Sequence, residues 1–121
     1  MDLNTYKLMH LVGMALVLMS LGARAFFAMQ GGDKLSDKAR GLGAGTHGVG
    51  LLLLLVGGFG MLAKLGISGI PGWVHPKLLI WVLLGLAIAV PYRKPELAKP
   101  MWFVVPVLTL IAAYLGLNKL G

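Results

Sequence analysis

Four long apolar runs, broken only by a few polar residues, fill most of this 121-residue chain, at 8–29, 41–63, 75–92 and 101–117, and they decide what it can fold into. A helix needs about 20 apolar residues to cross a bilayer, and four such helices use about 80. The residues left over are enough for loops, so four crossings fit and six do not. The runs are continuous rather than alternating, which excludes transmembrane strands. Composition agrees: 58% of residues are hydrophobic and 12% are charged, against about 45–50% and about 25% in a soluble domain. Too little polar surface remains to coat a water-soluble globule, and so high an apolar content opposes disorder.

The boundaries of the runs carry recognisable signals. Pro76 sits at the start of the third run and Pro91 at its end. Proline is tolerated in a first helical turn and stops a helix elsewhere. Pro106 lies inside the fourth run and is expected to kink it. The linker 30–40 holds five of the fifteen charged residues and reads as a solvated loop. Linker 64–74 is mostly uncharged, and 93–100 is a short turn bounded by prolines. Loops this short make neighbouring helices antiparallel. The expected fold is therefore all-α: an integral membrane protein with an up-down-up-down bundle of four transmembrane helices. Its spans lie at about 6–29, 41–64, 75–91 and 101–118 of a single domain, 1–121. Ala23-Arg24-Ala25 mimics a signal-peptide cleavage site. The preceding segment carries only Lys7 against Asp2, however, so the first run is expected to remain a true span.

Orientation follows from the basic residues. Lys7, Lys64, Lys77 and Lys119 fall on the side of the termini, whereas Arg24, Lys34, Lys38, Arg40, Arg93, Lys94 and Lys99 fall on the other. The richer side is expected in the cytoplasm of a bacterial inner membrane, with both termini periplasmic. The net charge of +7 needs no nucleic acid to explain it, because basic residues beside membrane spans attract anionic headgroups. The chain has no cysteine, which removes disulfides, thiolate metal sites and thiol catalysis.

Ionisable groups inside spans are costly and mark sites by default. Here they are His10, Arg24, His47, His75 and Lys77. His10, His75 and Lys77 fall near one membrane face and can share a layer, while His47 belongs to another. At 100° per residue, His10, Gly13, Val17, Ser20 and Arg24 form one stripe along the first helix. Gly43, His47, Gly50 and Gly57 form another on the second. Small residues let helices approach closely; alternatively, glycines beside a histidine leave room for a flat macrocycle. Arg24 reads as snorkelling or as holding Asp33 or Asp37. Trp73 and Trp102 fit an interfacial belt, and Trp81 is expected to pack inside the bundle. The acidic residues Asp2, Asp33, Asp37 and Glu96 all lie outside the runs, so carboxylate relays and hard-cation sites are not expected.

The opening Lys7-Leu-Met-His10, followed by Ser20 and Arg24, resembles SirB-type small membrane proteins, as do Thr46-His47, Gly72-Trp73 with Lys77, and Gly85 with Arg93. The likeness spans all four runs through short motifs. More distantly, the Lys-x-x-His opening and the Trp-x-x-x-Lys entry to the third run are similar to HemJ-type protoporphyrinogen oxidases. That likeness implies haem binding by His10 and Lys77. The first helices of those oxidases are more aromatic, and their second-half pattern is not found here.

Two functions follow as expectations. One is a haem- or porphyrin-binding membrane protein with a redox-related role. His10 would be the iron ligand of haem b, Lys77 or His75 the second ligand, and His47 and Gly50 would belong to the cofactor site. The other is a non-enzymatic subunit or regulator that packs its glycine-rich helices against a membrane partner or another copy of itself. Neither reading makes the chain an enzyme outright.

Overall fold

The structure is a computed structural model that describes residues 2–118; helices joined by short loops make up most of them, and no strand occurs among them. The chain forms α1 (Leu3–Met29), α2 (Arg40–Lys64), α3 (Val74–Ala87), a short α4 (Val90–Arg93), a single 3-10 turn (Pro95–Leu97) and α5 (Ala98–Asn118). α1, α2 and the segment Pro95–Leu117 are each long and apolar enough to cross a membrane. The 14 residues of α3 span only about 21 Å at 1.5 Å per residue, short of a hydrocarbon core of about 30 Å.

Local chemistry sets the ends. Asp2 caps α1, its carboxylate accepting from the Thr5 N–H at 2.8 Å and from the Thr5 hydroxyl at 2.7 Å. After α1, Gly31 takes φ +87° and donates to the Ala28 carbonyl, while Gly32 donates to the Phe27 carbonyl. That pair of bonds closes the last turn in a Schellman arrangement, which needs a left-handed residue. α2 ends the same way: Gly66 at φ +74° donates to Ala63, and Ile67 donates to Leu62. Glycine supplies both turns because it has no Cβ to clash.

Three boundaries differ from expectation. α1 starts at Leu3 rather than near residue 6, because Asp2 is a cap. The expected third span, 75–91, is broken: α3 ends at Ala87, and a separate turn holds Pro91. Pro91 has no N–H to donate to the carbonyl of Ala87. α5 begins at Ala98 and stays one helix through Pro106.

α1 and α2 run antiparallel and nearly touch backbone to backbone. A Cβ on Gly13 would lie 2.7 Å from the Gly50 carbonyl oxygen, and one on Gly57 would lie 2.7 Å from the His10 nitrogen. Only glycine permits this approach. The core adds Val17, Leu21 and Leu54 from this pair, Ile80 and Leu84 from α3, and Val105 and Ala112 from α5. The C-terminal span is the least covered of the three long ones. Only 11% of its most apolar stretch is buried, against 39% for α1.

Candidate functional site

The α1–α2 seam carries most of the polar side chains that the sequence singled out. His47 is 3% exposed. Its Nε2 lies 3.3 Å from the Gly85 carbonyl of α3, and its Nδ1 lies 3.2 Å from the Ser20 hydroxyl. A carbonyl only accepts, so in the neutral ring Nε2 carries the proton and donates to Gly85. Nδ1 is then the acceptor for Ser20. The Ser20 hydroxyl also lies 2.9 Å from the Val17 carbonyl, so its one proton serves two acceptors. His47 thereby fastens three helices together.

His10 is arranged differently. It is half-buried, and its Nδ1 lies 3.0 Å from the Leu54 carbonyl. Nδ1 therefore donates, and Nε2 keeps its lone pair. The ring rests beside Gly58, where a Cβ would come 3.6 Å from the ring edge. Lys77 is close enough for its charge to act on His10. Its ammonium lies 5.9 Å from the Trp73 ring centroid and fills the space beside Gly116. Of the three residues expected in one layer, Lys77 lies within electrostatic reach of His10, whereas the His75 side chain is exposed.

At the opposite end, Arg24 is 7% exposed and held on every side. It donates to the Ile88 carbonyl at 3.2 Å and to the Arg40 carbonyl at 3.0 Å, and stands 4.3 Å over the Tyr92 ring. Tyr92 in turn donates its hydroxyl to Asp37. The expectation that Arg24 would reach headgroups or pair with Asp33 or Asp37 is corrected: Tyr92 takes Asp37, and Arg24 binds the carbonyls at the ends of two helices. A cation beside the C-terminal carbonyls of α3 is favourable to the helix dipole. Gly43 makes room for this guanidinium, since a Cβ there would lie 3.1 Å from it.

Trp81 packs inside, as expected, with its indole N–H donating to the Leu51 carbonyl at 3.0 Å. No buried side-chain polar atom among the described residues lacks a partner. Ser20 and Gly85 as partners of His47 were not expected. Ser20 had a signal, because it shares the His10–Arg24 stripe; a backbone carbonyl such as Gly85 has none. Tyr92 also gave no sign. Gly50, expected beside a ligand or another helix, faces Gly13, Val17 and Leu16 of α1. The space beside Gly50 and Gly57 is filled by α1, so the stripe serves helix packing and offers no open wall there.

Two open surface grooves measure about 260 and 280 Å³. The first lies between α1 and α5 beside Gly22 and Trp102, the second between α1, α2 and the loop that joins them. Neither is lined by His10, His75 or Lys77. No family model, curated protein or solved structure matches the chain. The likeness to SirB-type and HemJ-type proteins therefore rests on the short motifs alone.

Proposed function

We propose that the protein is a non-enzymatic subunit of a bacterial inner membrane, built as an up-down-up-down bundle of four crossings. One observation carries this reading: the buried polar groups act as staples between helices, while α5 turns most of its apolar surface outward. A rigid hairpin with a broad apolar face on its far side is what a partner helix or a second copy packs against. The helix order is supported by His47 meeting Gly85, Trp81 meeting Leu51, and Lys77 meeting Gly116. α3 and α4 together supply the third crossing, joined through the break that Arg24 bridges. Loops 30–40 and 93–100 face the cytoplasm, on the basic-residue count; Lys119, one of the opposing residues, lies outside the described residues.

The test is chemical cross-linking in membranes followed by native mass spectrometry. The reading expects a defined oligomer or complex that is lost when bulky polar residues replace Leu110 and Phe103 on the outer face of α5. A chain that stays monomeric and partnerless in native membranes would overturn it. A reporter fused after Gly121 that is active only in the cytoplasm would reverse the topology.

A second reading, haem or porphyrin binding at His10, is favoured by one feature. Ligating histidines commonly donate their other ring N–H to a carbonyl, as His10 does to Leu54, and this leaves Nε2 as a donor. Lys77, whose charge reaches His10, is the proposed second ligand once deprotonated, and His75 is the substitute. Gly50 and His47 have no part in such a site, because α1 covers one and Ser20 and Gly85 engage the other. Bound haem would supply electron-transfer chemistry, with His10 holding and orienting the iron. Haemin titration into wild type and His10→Ala separates the readings: a Soret shift that His10→Ala abolishes selects haem, and no shift selects the subunit.

A further inference from the structure

The groove between α1, α2 and the loop between them has two kinds of wall. Met19, Ala23 and Phe27 from α1 and Leu42 from α2 form an apolar flank, and Met19 and Leu42 are largely exposed along it. Eight residues separate Met19 from Phe27, so this flank runs about 12 Å along the helix axis at 1.5 Å per residue. Asp37 and Ala39 of the loop close the other end, and Gly43 and Arg24 lie between. In a membrane such an apolar flank faces acyl chains, and the loop end falls at headgroup depth.

The charge at that end is positive. Asp37 and Ala39 line it there, and the exposed Lys38 and Arg40 flank Ala39 in sequence, with Lys34 exposed in the same loop and Arg24 bordering the groove from inside. The opposing carboxylates are Asp33 and Asp37, and both are already engaged. Asp33 accepts from the Ser36 N–H at 2.9 Å. Asp37 accepts from the Ala39 N–H on one oxygen and from Tyr92 on the other. Three exposed cations against two hydrogen-bonded carboxylates leave this loop positive, which suits an anion.

We infer that this groove holds one anionic phospholipid, its acyl chain along Met19, Ala23, Phe27 and Leu42 and its headgroup against Lys38 and Arg40. The inference rests on the membrane reading above. The groove gives the chain a seat, and the rim selects the headgroup by charge. Juxtamembrane basic residues attract anionic lipids through their charge, so the two cations that flank Ala39 set the preference.

The test uses the full chain purified in a nonionic detergent, with phosphatidylglycerol or phosphatidylcholine added and retained lipid counted by native mass spectrometry. Wild type is expected to retain phosphatidylglycerol about thirtyfold better, as two surface cations imply. Lys38→Gln with Arg40→Gln should remove that preference. Lys34→Gln with Lys38→Gln, which leaves the Arg40 bond to the Lys34 carbonyl in place, should weaken it with the fold undisturbed. Ala23→Trp should reduce retention of both lipids by filling the apolar flank. Equal retention of the two lipids by wild type, or an unchanged preference in both charge variants, overturns the inference. So does displacement of phosphatidylglycerol by inorganic phosphate, which would make the site one for a free anion. Partition of the chain into the aqueous phase on detergent phase separation would instead overturn the membrane reading itself.

Discussion

The α1–α2 seam and the outer face of α5 are built from the same apolar vocabulary and behave in opposite ways. Along the seam, glycines bring two backbones together, and His47, Ser20 and Arg24 pin them to a third helix. On α5, Phe103, Leu110 and Tyr114 stand more than half exposed. In lipid no hydrophobic force distinguishes a helix partner from an acyl chain. What separates the two regions is therefore close packing and hydrogen bonding, and substitutions should reveal the difference.

The largest effect should come from filling the seam. Gly50→Leu places a side chain where the Gly13 carbonyl and Val17 already lie within 2.9 Å of a Cβ. Overpacking of this kind typically costs about 1–3 kcal/mol. Gly48→Leu, two residues away with open space around it, should leave the thermal melting point in detergent almost unchanged. Equal melting points would erase the contrast.

Next are the two histidines. His47→Ala removes two hydrogen bonds at a buried position, each worth about 0.5–1.5 kcal/mol. His10→Ala removes one at a half-buried position. The melting point should fall further for His47→Ala. The reverse order would mean that the seam is held from its His10 end.

How much of this was legible beforehand differs between the regions. The four runs showed the helices because apolar length is a direct property of sequence. The turns after α1 and α2 rest on Gly31 and Gly66, which the runs alone did not single out; their left-handed conformation emerged with the structure. The break after Ala87 was only half visible: Pro91 signalled a boundary, but its distance from the helix end depended on which carbonyl loses its donor. The site was less legible. Spacing put His10, Ser20 and Arg24 on one stripe and His47 and Gly50 on another, yet could not show that the stripes face each other. Nor does any pattern announce a backbone carbonyl as a partner, so the Gly85, Leu54 and Ile88 acceptors emerged only in three dimensions.

A smaller effect sharpens the packing side. Gly48→Ala should stabilise α2 by about 0.5–1 kcal/mol, because alanine loses less entropy in a helix and meets nothing at that position. Gly57→Ala should destabilise, since its Cβ would meet the backbone of Tyr6 and His10. Opposite signs from one substitution type in one helix separate the lipid face from the seam face.

The smallest effect lies outside the membrane, in the loop. The Asp33 carboxyl is held below the usual carboxylate range by hydrogen bonds from Ser36. A lowered folded value means that its contribution to loop order is present above the ordinary carboxylate pKa and lost as the pH falls through the folded value. Asp33→Asn should remove this dependence. Hydrogen exchange across 33–37, corrected for the intrinsic effect of pH on exchange, should show protection falling on acidification in wild type and not in the variant.

The seam itself is open to a direct measurement, because the chain contains no cysteine to interfere. Ser20→Cys with His47→Cys places two thiols where the native side chains now meet at 3.2 Å. Ser20→Cys with Gly48→Cys moves the second thiol one residue on, to a face with nothing within 4 Å. Cross-linking both pairs with mercuric ion in native membranes, and reading the shift of the intramolecular product on a denaturing gel, compares the two faces at one depth. The packing described here predicts efficient bridging for the Ser20–His47 pair and little for the Ser20–Gly48 pair. Bridging that fails for the first pair, or is as efficient for the second, would contradict the α1–α2 seam.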